Sequence, residues 1–385
     1  MASLYETAAR LHDPRVKGRS KHLLADIVIL AVLAVTSGAE SYEAIEEFGR
    51  FHYQTLKKRL RLPNGIPSHD TINRVFQAIR FRQFERLFQE WAEGLRPEGA
   101  TEKVIAIDGK TVRGSRDGYH DNPAIHLVHA WSVENGICLG QRKTRDKSNE
   151  ITAIPELLDM LCVEGSIITI DAMGTQTAIA EKIVDGGADY ILALKGNQGT
   201  LLQDAELMER EAAPVSESEE VDKGHGRVET RSCKVYEPTE WIRQNHEWKG
   251  LQSIVKITAV RWNAVSKEET VETRWYISSL DSKADFIRYI RGHWGVENSL
   301  HWVLDMSFGE DRQRKRAGMA AENFALVRKF SLNILRRDKG KGSLVTFLLL
   351  GCIIGLRRDK GKGSLVTKRL KAGWSIDYLF SLLEI

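Results

Sequence analysis

The chain has 385 residues, longer than one compact core usually accommodates, so two or three structural units are expected. Hydrophobic residues make up 42% of the chain and charged residues 28%, a balance that excludes a mainly disordered protein. The net charge is only +4, but residues 311–371 hold 17 Lys and Arg against four acids. That segment has a local net charge of +13, which leaves −9 for the remainder. A basic tail on an acidic body predicts binding to a polyanion, with nucleic acid as the first candidate.

The sequence offers no credible membrane span or secretion signal. Residues 27–39 form the longest charge-free apolar stretch near the start, but 13 residues fall short of the roughly 20 that cross a bilayer. Charged residues crowd the region before this stretch, which argues against a signal peptide. The four cysteines lie far apart and support neither a disulfide framework nor a zinc site. We therefore expect a cytoplasmic protein with no membrane partner.

Residues 1–97 are predicted to form a helical amino-terminal domain. Ser68 has the character of a helix N-cap, and the residues after it place Ile72, Val75 and Phe76 at helical spacing. These apolar stripes indicate the core of a small helical bundle. Binding of DNA by this domain remains open, because nothing in the sequence specifies a recognition helix.

Residues 98–203 alternate between strands and helices. An Asn135–Gly136 turn between two apolar runs predicts a hairpin, and Asp108 and Asp171 are each expected directly after a short apolar strand. The order is three strands, then helix, strand, helix, strand. It predicts an α/β fold with a mixed sheet flanked by helices, the layout of the ribonuclease-H-like fold, although order alone leaves other α/β folds open. The predicted strands are 104–107, 124–133, 137–143, 167–170 and 190–194, and the helices are 149–161 and 175–185.

Residues 204–281 are predicted to be a β-rich insertion, with strands at 227–236, 252–262 and 269–278. A long helix is expected to begin near Lys283 and to run past Leu304. On this division, residues 282–335 are the last part of the domain that begins at residue 98, and residues 336–385 form a basic tail.

The tail contains an identical repeat. Residues 335–346 recur letter for letter at 356–367, a period of 21, with an unrelated apolar filler between the copies. Two copies cannot form a solenoid, which needs three or more repeats. The pattern is typical of a recent duplication, and we expect residues 336–356 to be dispensable.

Three carboxylates are candidates for metal-dependent chemistry. Asp108 and Asp171 follow strands of one predicted sheet and can lie side by side, although either alone is more often a turn residue. Glu297 is predicted on a helix face that it shares with Ile290 and Trp294, where a buried carboxylate needs a cation or a metal. The alternative is that neighbouring Arg or His side chains neutralise it. Two Asp on strands and one acid on a later helix suit two-metal phosphoryl transfer. Three other acids remain rivals for the third position: Asp305, Glu310 and Asp311.

The chain resembles the H-repeat-associated transposases of bacterial insertion sequences, which belong to the DDE transposase superfamily. The matching stretches run in order through the chain, at 37–40, 65–71, 105–111, 147–158, 168–174, 194–199, 225–227, 293–298, 300–302 and 369–374. The resemblance implies a ribonuclease-H-like catalytic domain with a β-rich insertion before the last catalytic acid. It also implies Mg²⁺-dependent cutting and joining of DNA at terminal inverted repeats. The catalytic and metal-binding acids would be Asp108, Asp171 and Glu297.

The resemblance also sets expectations for cofactor, partners and location. Two Mg²⁺ ions, which Mn²⁺ may replace, would serve the three acids. Double-stranded DNA would be the partner, both as inverted-repeat ends and as target, with a homodimer on paired ends in a bacterial cytoplasm and near its nucleoid. The predicted DNA contacts are Lys110, Arg113, Lys195, Asn197, Arg291, His293, Arg312, Arg314, Lys315 and Arg316.

The chain departs from the superfamily pattern at one position, and two other functions compete with transposition. Many members carry Arg four residues before the final Glu, where this chain has His293. A degenerate relative that only occupies element ends as a repressor is one alternative function. A stand-alone ribonuclease-H-like nuclease is the other.

Overall fold

The computed structural model describes residues 4–16, 18–96, 103–144, 150–224, 226–263, 265–338 and 365–383. The chain forms two compact units, which are described separately. Unit 1 comprises Met1–Arg96, Val112–Ile125 and Trp302–Ile385. Unit 2 comprises Pro97–Thr111 and His126–His301. Both units are interrupted along the chain, so each is completed by segments distant in sequence.

The described residues form fifteen α-helices and nine β-strands. The helices are α1 (Leu4–Ala9), α2 (Leu24–Thr36), α3 (Tyr42–Phe51), α4 (Tyr53–Leu56), α5 (His69–Ala78), α6 (Phe81–Glu93), α7 (Glu150–Leu158), α8 (Thr177–Asp185), α9 (Gly199–Glu211), α10 (Glu240–Asn245), α11 (Phe286–Gly295), α12 (Trp302–Phe308), α13 (Ala320–Arg337), α14 (Leu365–Trp374) and α15 (Ile376–Leu383). The strands are β1 (Lys103–Thr111), β2 (His126–Ser132), β3 (Ile137–Lys143), β4 (Ser166–Ile170), β5 (Asp189–Leu194), β6 (Ser216–Gly224), β7 (Arg227–Tyr236), β8 (Ser253–Asn263) and β9 (Glu269–Ser278).

Unit 1 is a helical assembly built around α2 and α13. Every residue of α2 is buried, as expected for a helix that is apolar on all sides. Its single acid, Asp26, is buried but accepts hydrogen bonds from the backbone N–H of Leu62 at 2.8 Å and from Tyr5 Oη at 3.0 Å. The side chain of Asn323 on α13 donates to the carbonyl of Phe76 at 2.8 Å. Buried polar groups in this core are therefore tied to specific backbone positions.

The sequence-based predictions for the amino-terminal helices are confirmed. Ser68 caps α5, and its hydroxyl accepts a hydrogen bond from the backbone N–H of Thr71 at 3.4 Å. Ile72, Val75 and Phe76 of α5 are buried, as their helical spacing predicts. In α6, Phe84 and Phe88 are almost fully buried, and Phe330 of α13 stacks on the first and meets the second edge-on.

Unit 2 is built on one nine-stranded mixed sheet. The strand order is β3-β2-β1-β4-β5-β9-β8-β7-β6. Strands β1, β4 and β5 are parallel to one another, and the other neighbours pair antiparallel. The predicted hairpin joins β2 and β3, and Gly136 in its turn has φ +64°, a conformation that glycine adopts without strain. The register of β1 on β4 places Ile107 beside Ile170.

Strands β7, β8 and β9 continue this sheet, since β9 pairs directly with β5. The predicted strands in this region are present, but the sequence missed β6. The reason is its composition, because Ser216–Gly224 is polar on both faces and almost wholly exposed. It therefore lacks the alternation of apolar and polar residues that indicates a half-buried strand.

Two predictions for the positions of acids are wrong. Asp108 does not end its strand: β1 continues to Thr111, and Asp108 pairs with His129 of β2. The helix after Lys283 is also not one regular α-helix. A π-helical segment, Val296–His301, lies between α11 and α12 and changes which side chains face inward.

Most of the duplicated segment lies outside the described residues, but its flanks are described. Tyr378 Oη donates to Asp338 Oδ2 at 2.6 Å, and Lys368 also contacts Asp338, so the end of α13 and the start of α14 are close. Deleting residues 336–356 restores the same Arg-Arg-Asp sequence after Leu335 and leaves five residues before Leu365. Those residues can span about 20 Å, and Lys368, three residues after Leu365, already contacts Asp338.

We therefore expect the deletion variant to fold with an unchanged melting temperature and an unchanged circular dichroism spectrum. A matched deletion that removes residues 332–352 takes away part of α13 and should lower the melting temperature sharply. A loss of stability in the first variant as large as in the second would contradict the prediction.

Among the described residues, no helix is both long enough and apolar enough to cross a membrane.

Candidate active site

Two aspartates meet on neighbouring parallel strands of unit 2. Since Ile107 pairs with Ile170, the residues that follow them, Asp108 and Asp171, occupy adjacent positions on β1 and at the end of β4. The backbone N–H of Gly109 donates to Asp108 Oδ1 at 2.9 Å. The sheet register thus brings together two residues that are 63 positions apart in the sequence.

The carboxylate of Asp171 is oriented by the turn that follows β4. Its Oδ1 accepts hydrogen bonds from the backbone N–H groups of Met173 at 3.1 Å and Gly174 at 3.4 Å. The side-chain amide of Asn197 donates to the carbonyl of Ala172 at 2.5 Å, which ties the same turn to the segment after β5. Asp171 therefore caps the short helical turn that follows β4, and it also lines the cavity described below.

Glu297 lies in the π-helical segment, and its side chain is exposed. Ile290, Trp294 and Glu297 line the same cavity, in line with the predicted shared face, but the Glu297 side chain is not buried there. Within the π-helical segment, Val296 and Leu300 are the buried residues. Exposure removes the cost of burying the Glu297 carboxylate.

All three predicted acids line one cavity of unit 2, with a volume of about 520 Å³. Lys195, directly after β5, and His293 of α11 line the same cavity. Two of the predicted DNA contacts are therefore placed beside the acids. Glu206, Glu272 and Arg274 line it as well, so its described lining holds five carboxylates, one lysine and one arginine.

The electrostatics of the cavity are dominated by its acids. Burial and, after it, the charges of Asp171, Glu297 and Glu150 together raise the pKa of Asp108 to about 7, while the hydrogen bond from the Gly109 N–H opposes the rise. Burial and the charge of Glu150 also raise the pKa of Asp171, while Lys195 opposes the rise. A buried carboxyl surrounded by other acids favours either a proton or a bound cation.

Glu150, at the start of α7, is a fourth acid that sequence reasoning missed. Its side chain is buried, and its Oε1 lies 2.5 Å from His126 Nε2. The other nitrogen of that imidazole, Nδ1, lies 2.8 Å from the hydroxyl of Thr111. A side chain at position 109 would collide with the Glu150 carboxylate and the His126 imidazole, which explains the glycine there. An acid at a helix start is common, so the sequence carried no distinctive signal.

A pair of histidines lies behind Asp108. His301 Nδ1 is 3.5 Å from Asp108 Oδ2, and His301 Nε2 is 3.1 Å from His129 Nδ1. His129 is fully buried on β2. The imidazole of His301 therefore restrains Asp108 from the side of the π-helical segment.

The donor set matches the preference of Mg²⁺ for carboxylate oxygens. Two features fit a divalent cation at this place: the adjacency of Asp108 and Asp171, and the raised pKa of Asp108, which burial and then the charge of Asp171 cause. Within the described ranges, however, no group of three or more His, Cys, Asp or Glu side chains is gathered closely enough to hold a metal ion. The geometry thus supplies two adjacent ligands and a third acid at the cavity wall.

Three predicted DNA contacts are not supported by their surroundings. Lys110 is buried within β1, which argues against a phosphate contact. Arg291 is engaged by two acids of β6, with Glu220 at 2.9 Å and Asp222 as the second partner. Burial lowers the pKa of His293 to about 4, and its Nδ1 lies 2.9 Å from the Thr169 hydroxyl, so the imidazole is neutral at pH 7.

The remaining predicted contacts belong to unit 1. Arg113 is exposed and lies 3.6 Å from Asp311, one of the rival acids. Another rival, Glu310, is fully buried, and Lys329 lies 3.8 Å from it. Lys315 points inward and donates to the carbonyl of Glu40 at 2.7 Å. The three other cations of this loop are exposed: Arg312, Arg314 and Arg316.

Comparisons with known proteins identify the class of this chain. Residues 99–334 match the family model described as the Transposase DDE domain, and residues 5–92 match the model described as DDE_Tnp_1-associated. The chain belongs to the DDE transposase family. The family assignment and the predicted resemblance to H-repeat-associated transposases agree.

Two relatives from Escherichia coli align with most of the chain. "Putative transposase YncI" of strain O157:H7 is 45% identical over 350 residues, covering 88% of each chain. "H repeat-associated putative transposase YhhI" of strain K12 is 43% identical over 356 residues, covering 88% of this chain and 92% of the relative. A solved piggyBac transposase synaptic complex with hairpin DNA aligns with a TM-score of 0.44 at 11% identity, covering 99% of this chain and 77% of that chain. That likeness is too distant to carry an argument.

Proposed function

We propose that this DDE transposase binds the terminal inverted repeats of an insertion sequence, cleaves a phosphodiester bond at each end and joins the ends to target DNA. The observation that carries the proposal is the adjacency of the half-buried Asp108 and Asp171 in a cavity that Glu297 also lines. Strands β1 to β5, in the order 3-2-1-4-5, would form a ribonuclease-H-like core, with β6 to β9 as an insertion that extends its sheet.

Asp108, Asp171 and Glu297 would be the metal ligands. When bound, two Mg²⁺ ions, or Mn²⁺ in their place, would activate the attacking oxygen and stabilise the leaving oxygen. Asp108 must be ionised to bind, and a pKa of about 7 allows this at mildly alkaline pH. The backbone N–H groups at Met173 and Gly174 keep Asp171 oriented. Lys195 would hold a phosphate of the scissile strand near Asp171.

Cleavage of a DNA fragment that carries the element end tests this function and separates it from its alternatives. The expected result is nicking at the inverted repeat that requires Mg²⁺ or Mn²⁺ and is stopped by EDTA. Binding without nicking would favour the degenerate repressor. Nicking that is indifferent to the repeat sequence would favour a stand-alone nuclease.

The exposed arginines of unit 1 are proposed as contacts to the DNA backbone. If six cations contact the duplex, the logarithm of the binding constant should fall against the logarithm of the salt concentration with a slope of about −5. Replacing Arg312, Arg314 and Arg316 together by glutamine should make this slope shallower by about 3, since each lost phosphate contact removes about 0.9.

Fluorescence anisotropy of labelled duplex across a series of salt concentrations measures the slope. Lys283→Gln serves as the control, because Lys283 is exposed in a loop beside Asp281 and Asp285 and is not a proposed contact. An unchanged slope in the triple variant would remove these arginines from the DNA-binding surface.

Two further proposals concern assembly and location. Two ends must be held together for joining, which favours a homodimer on paired inverted repeats. A protein that acts on chromosomal DNA would work in the bacterial cytoplasm, in contact with the nucleoid.

A further inference from the structure

Unit 1 contains a second cavity, separate in its lining from that of the proposed catalytic acids. Its volume is about 870 Å³. Tyr42 of α3, Arg328 of α13 and residues 312–318 of the loop before α13 line it. We call this cavity the Arg328 pocket.

Two cations share one aromatic ring in the Arg328 pocket. Lys315 Nζ lies 4.0 Å from the centre of the Phe324 ring, and Arg328 Cζ lies 4.8 Å from the same centre. Burial, and then the charge of Arg328, lower the pKa of Lys315 to about 7. Burial also lowers the pKa of Arg328, whose side chain is only 1% exposed. A buried guanidinium with a second, half-buried cation beside it is costly unless an anion accompanies the pair.

Two hydrogen-bond donors in the pocket lack partners. Arg328 Nε donates to the carbonyl of Phe308 at 3.2 Å, but Arg328 Nη1 has no hydrogen-bond partner within the described part of the chain. The same holds for Tyr42 Oη, and the Tyr42 side chain is only 9% exposed. Leaving such buried groups unpaired costs free energy, so native proteins usually pair them with protein, water or ligand.

Acids around the pocket offset part of the charge of its cations. Glu310 and Glu40 exert the largest opposing charges on Arg328, and Glu40 and Glu43 do so on Lys315. Lys315 Nζ, however, bonds to the backbone carbonyl of Glu40, at 2.7 Å. The lining residues include five Lys or Arg against three Asp or Glu. The excess of cations over acids among the lining residues therefore favours an anionic ligand.

We propose that the Arg328 pocket binds one phosphate group of the DNA backbone, with Arg328 and Tyr42 as hydrogen-bond donors and Lys315 as a counter-charge. A phosphate has several acceptor oxygens, so it can accept hydrogen bonds from more than one donor. The exposed arginines of the adjoining loop would carry neighbouring phosphates. The choice of DNA as the source of the phosphate rests on the proposed function, whereas the anion site itself does not.

The decisive variant is Tyr42→Phe, which removes one hydroxyl and leaves the ring in place. Tyr53→Phe in α4 is the matched control, because Tyr53 does not line the pocket. Inorganic phosphate should raise the melting temperature of the wild-type chain and of the control. Its apparent affinity should fall about tenfold in Tyr42→Phe, as expected for loss of a hydrogen bond to a charged group. Lys315→Met should weaken it by at least as much.

The second arm uses a duplex that carries the inverted repeat, measured by anisotropy at several salt concentrations without divalent ions. The same two variants should bind it more weakly by about tenfold, and Lys315→Met should also make the salt slope shallower by about 1. Unchanged phosphate and duplex affinities in folded variants would overturn the proposal. Loss of phosphate binding with unchanged duplex binding would overturn DNA as the source.

These outcomes are distinguishable from failure of the proposed function. Neither arm requires cleavage, and none of the pocket residues is a proposed catalytic acid. A wild-type chain that binds the duplex through this pocket but never nicks it would refute the catalytic proposal alone.

Discussion

Replacing Asp108 by asparagine is expected to abolish metal-dependent nicking of a DNA end while leaving binding of that end intact. The substitution keeps the shape of the side chain but removes the charge that would hold a cation between β1 and β4. A metal ion contributes several kcal/mol to stabilisation of the transition state, so the rate should fall by about 10³-fold or more. Single-turnover nicking in Mg²⁺ measures the rate, and anisotropy without divalent ions measures the binding.

Asp185→Asn is the matched control, because it makes the same chemical change at an exposed position of α8. There Asp185 pairs with Lys249. Its nicking rate should equal that of the wild type. Nicking by Asp108→Asn within a few-fold of the wild type would refute the assignment of this carboxylate.

The same substitution is expected to stabilise the metal-free protein at alkaline pH. The pKa of Asp108 is raised from 3.8 to about 7 in the folded chain. Between these values the folded state holds a proton that the unfolded state has released, so stability falls as the pH rises from about 4 to 7. The loss is complete above pH 7 and amounts to at most about 4 kcal/mol in the free energy of unfolding.

Urea denaturation in EDTA at pH 5 and pH 8 measures this effect. Asp108→Asn should gain stability relative to the wild type between these two pH values, whereas Asp185→Asn should not. Mg²⁺ should stabilise the wild type at pH 8 and have a much smaller effect on Asp108→Asn. An equal pH dependence in all three chains would contradict a raised pKa at Asp108.

Features that depend on neighbouring residues in sequence could be predicted. The cap of α5 at Ser68, the hairpin turn at Gly136 and the position of Asp171 directly after β4 follow from local backbone chemistry. The prediction that a strand ends before Asp108 is wrong for a reason that lies outside the local sequence. Gly109 continues β1, and Glu150 and His126 leave no room for a side chain at that position.

Features that depend on distant partners could not be predicted. Nothing local to Glu150 indicates that it lies buried near Asp108 and Asp171, because that proximity arises from the start of α7 packing beside the sheet. Arg291 is a cation near the predicted acid, which suggests a DNA contact from sequence alone. In the fold it forms ion pairs with two acids of β6, Glu220 and Asp222. The π-helical segment around Glu297 has no periodicity that separates it from an α-helix in the sequence.

Strand β6 gives one border of unit 2 an acidic character. It is the last strand of the sheet, it is almost wholly exposed, and it carries Glu217, Glu219, Glu220 and Asp222 against one cation, Lys223. Arg291 pairs with Glu220 and Asp222. An acidic margin of this kind repels a phosphodiester chain and also discourages another strand from adding to the open edge. If nucleic acid binds near Asp108 and Asp171, repulsion by the acids of β6 would keep its phosphates away from this edge of the sheet.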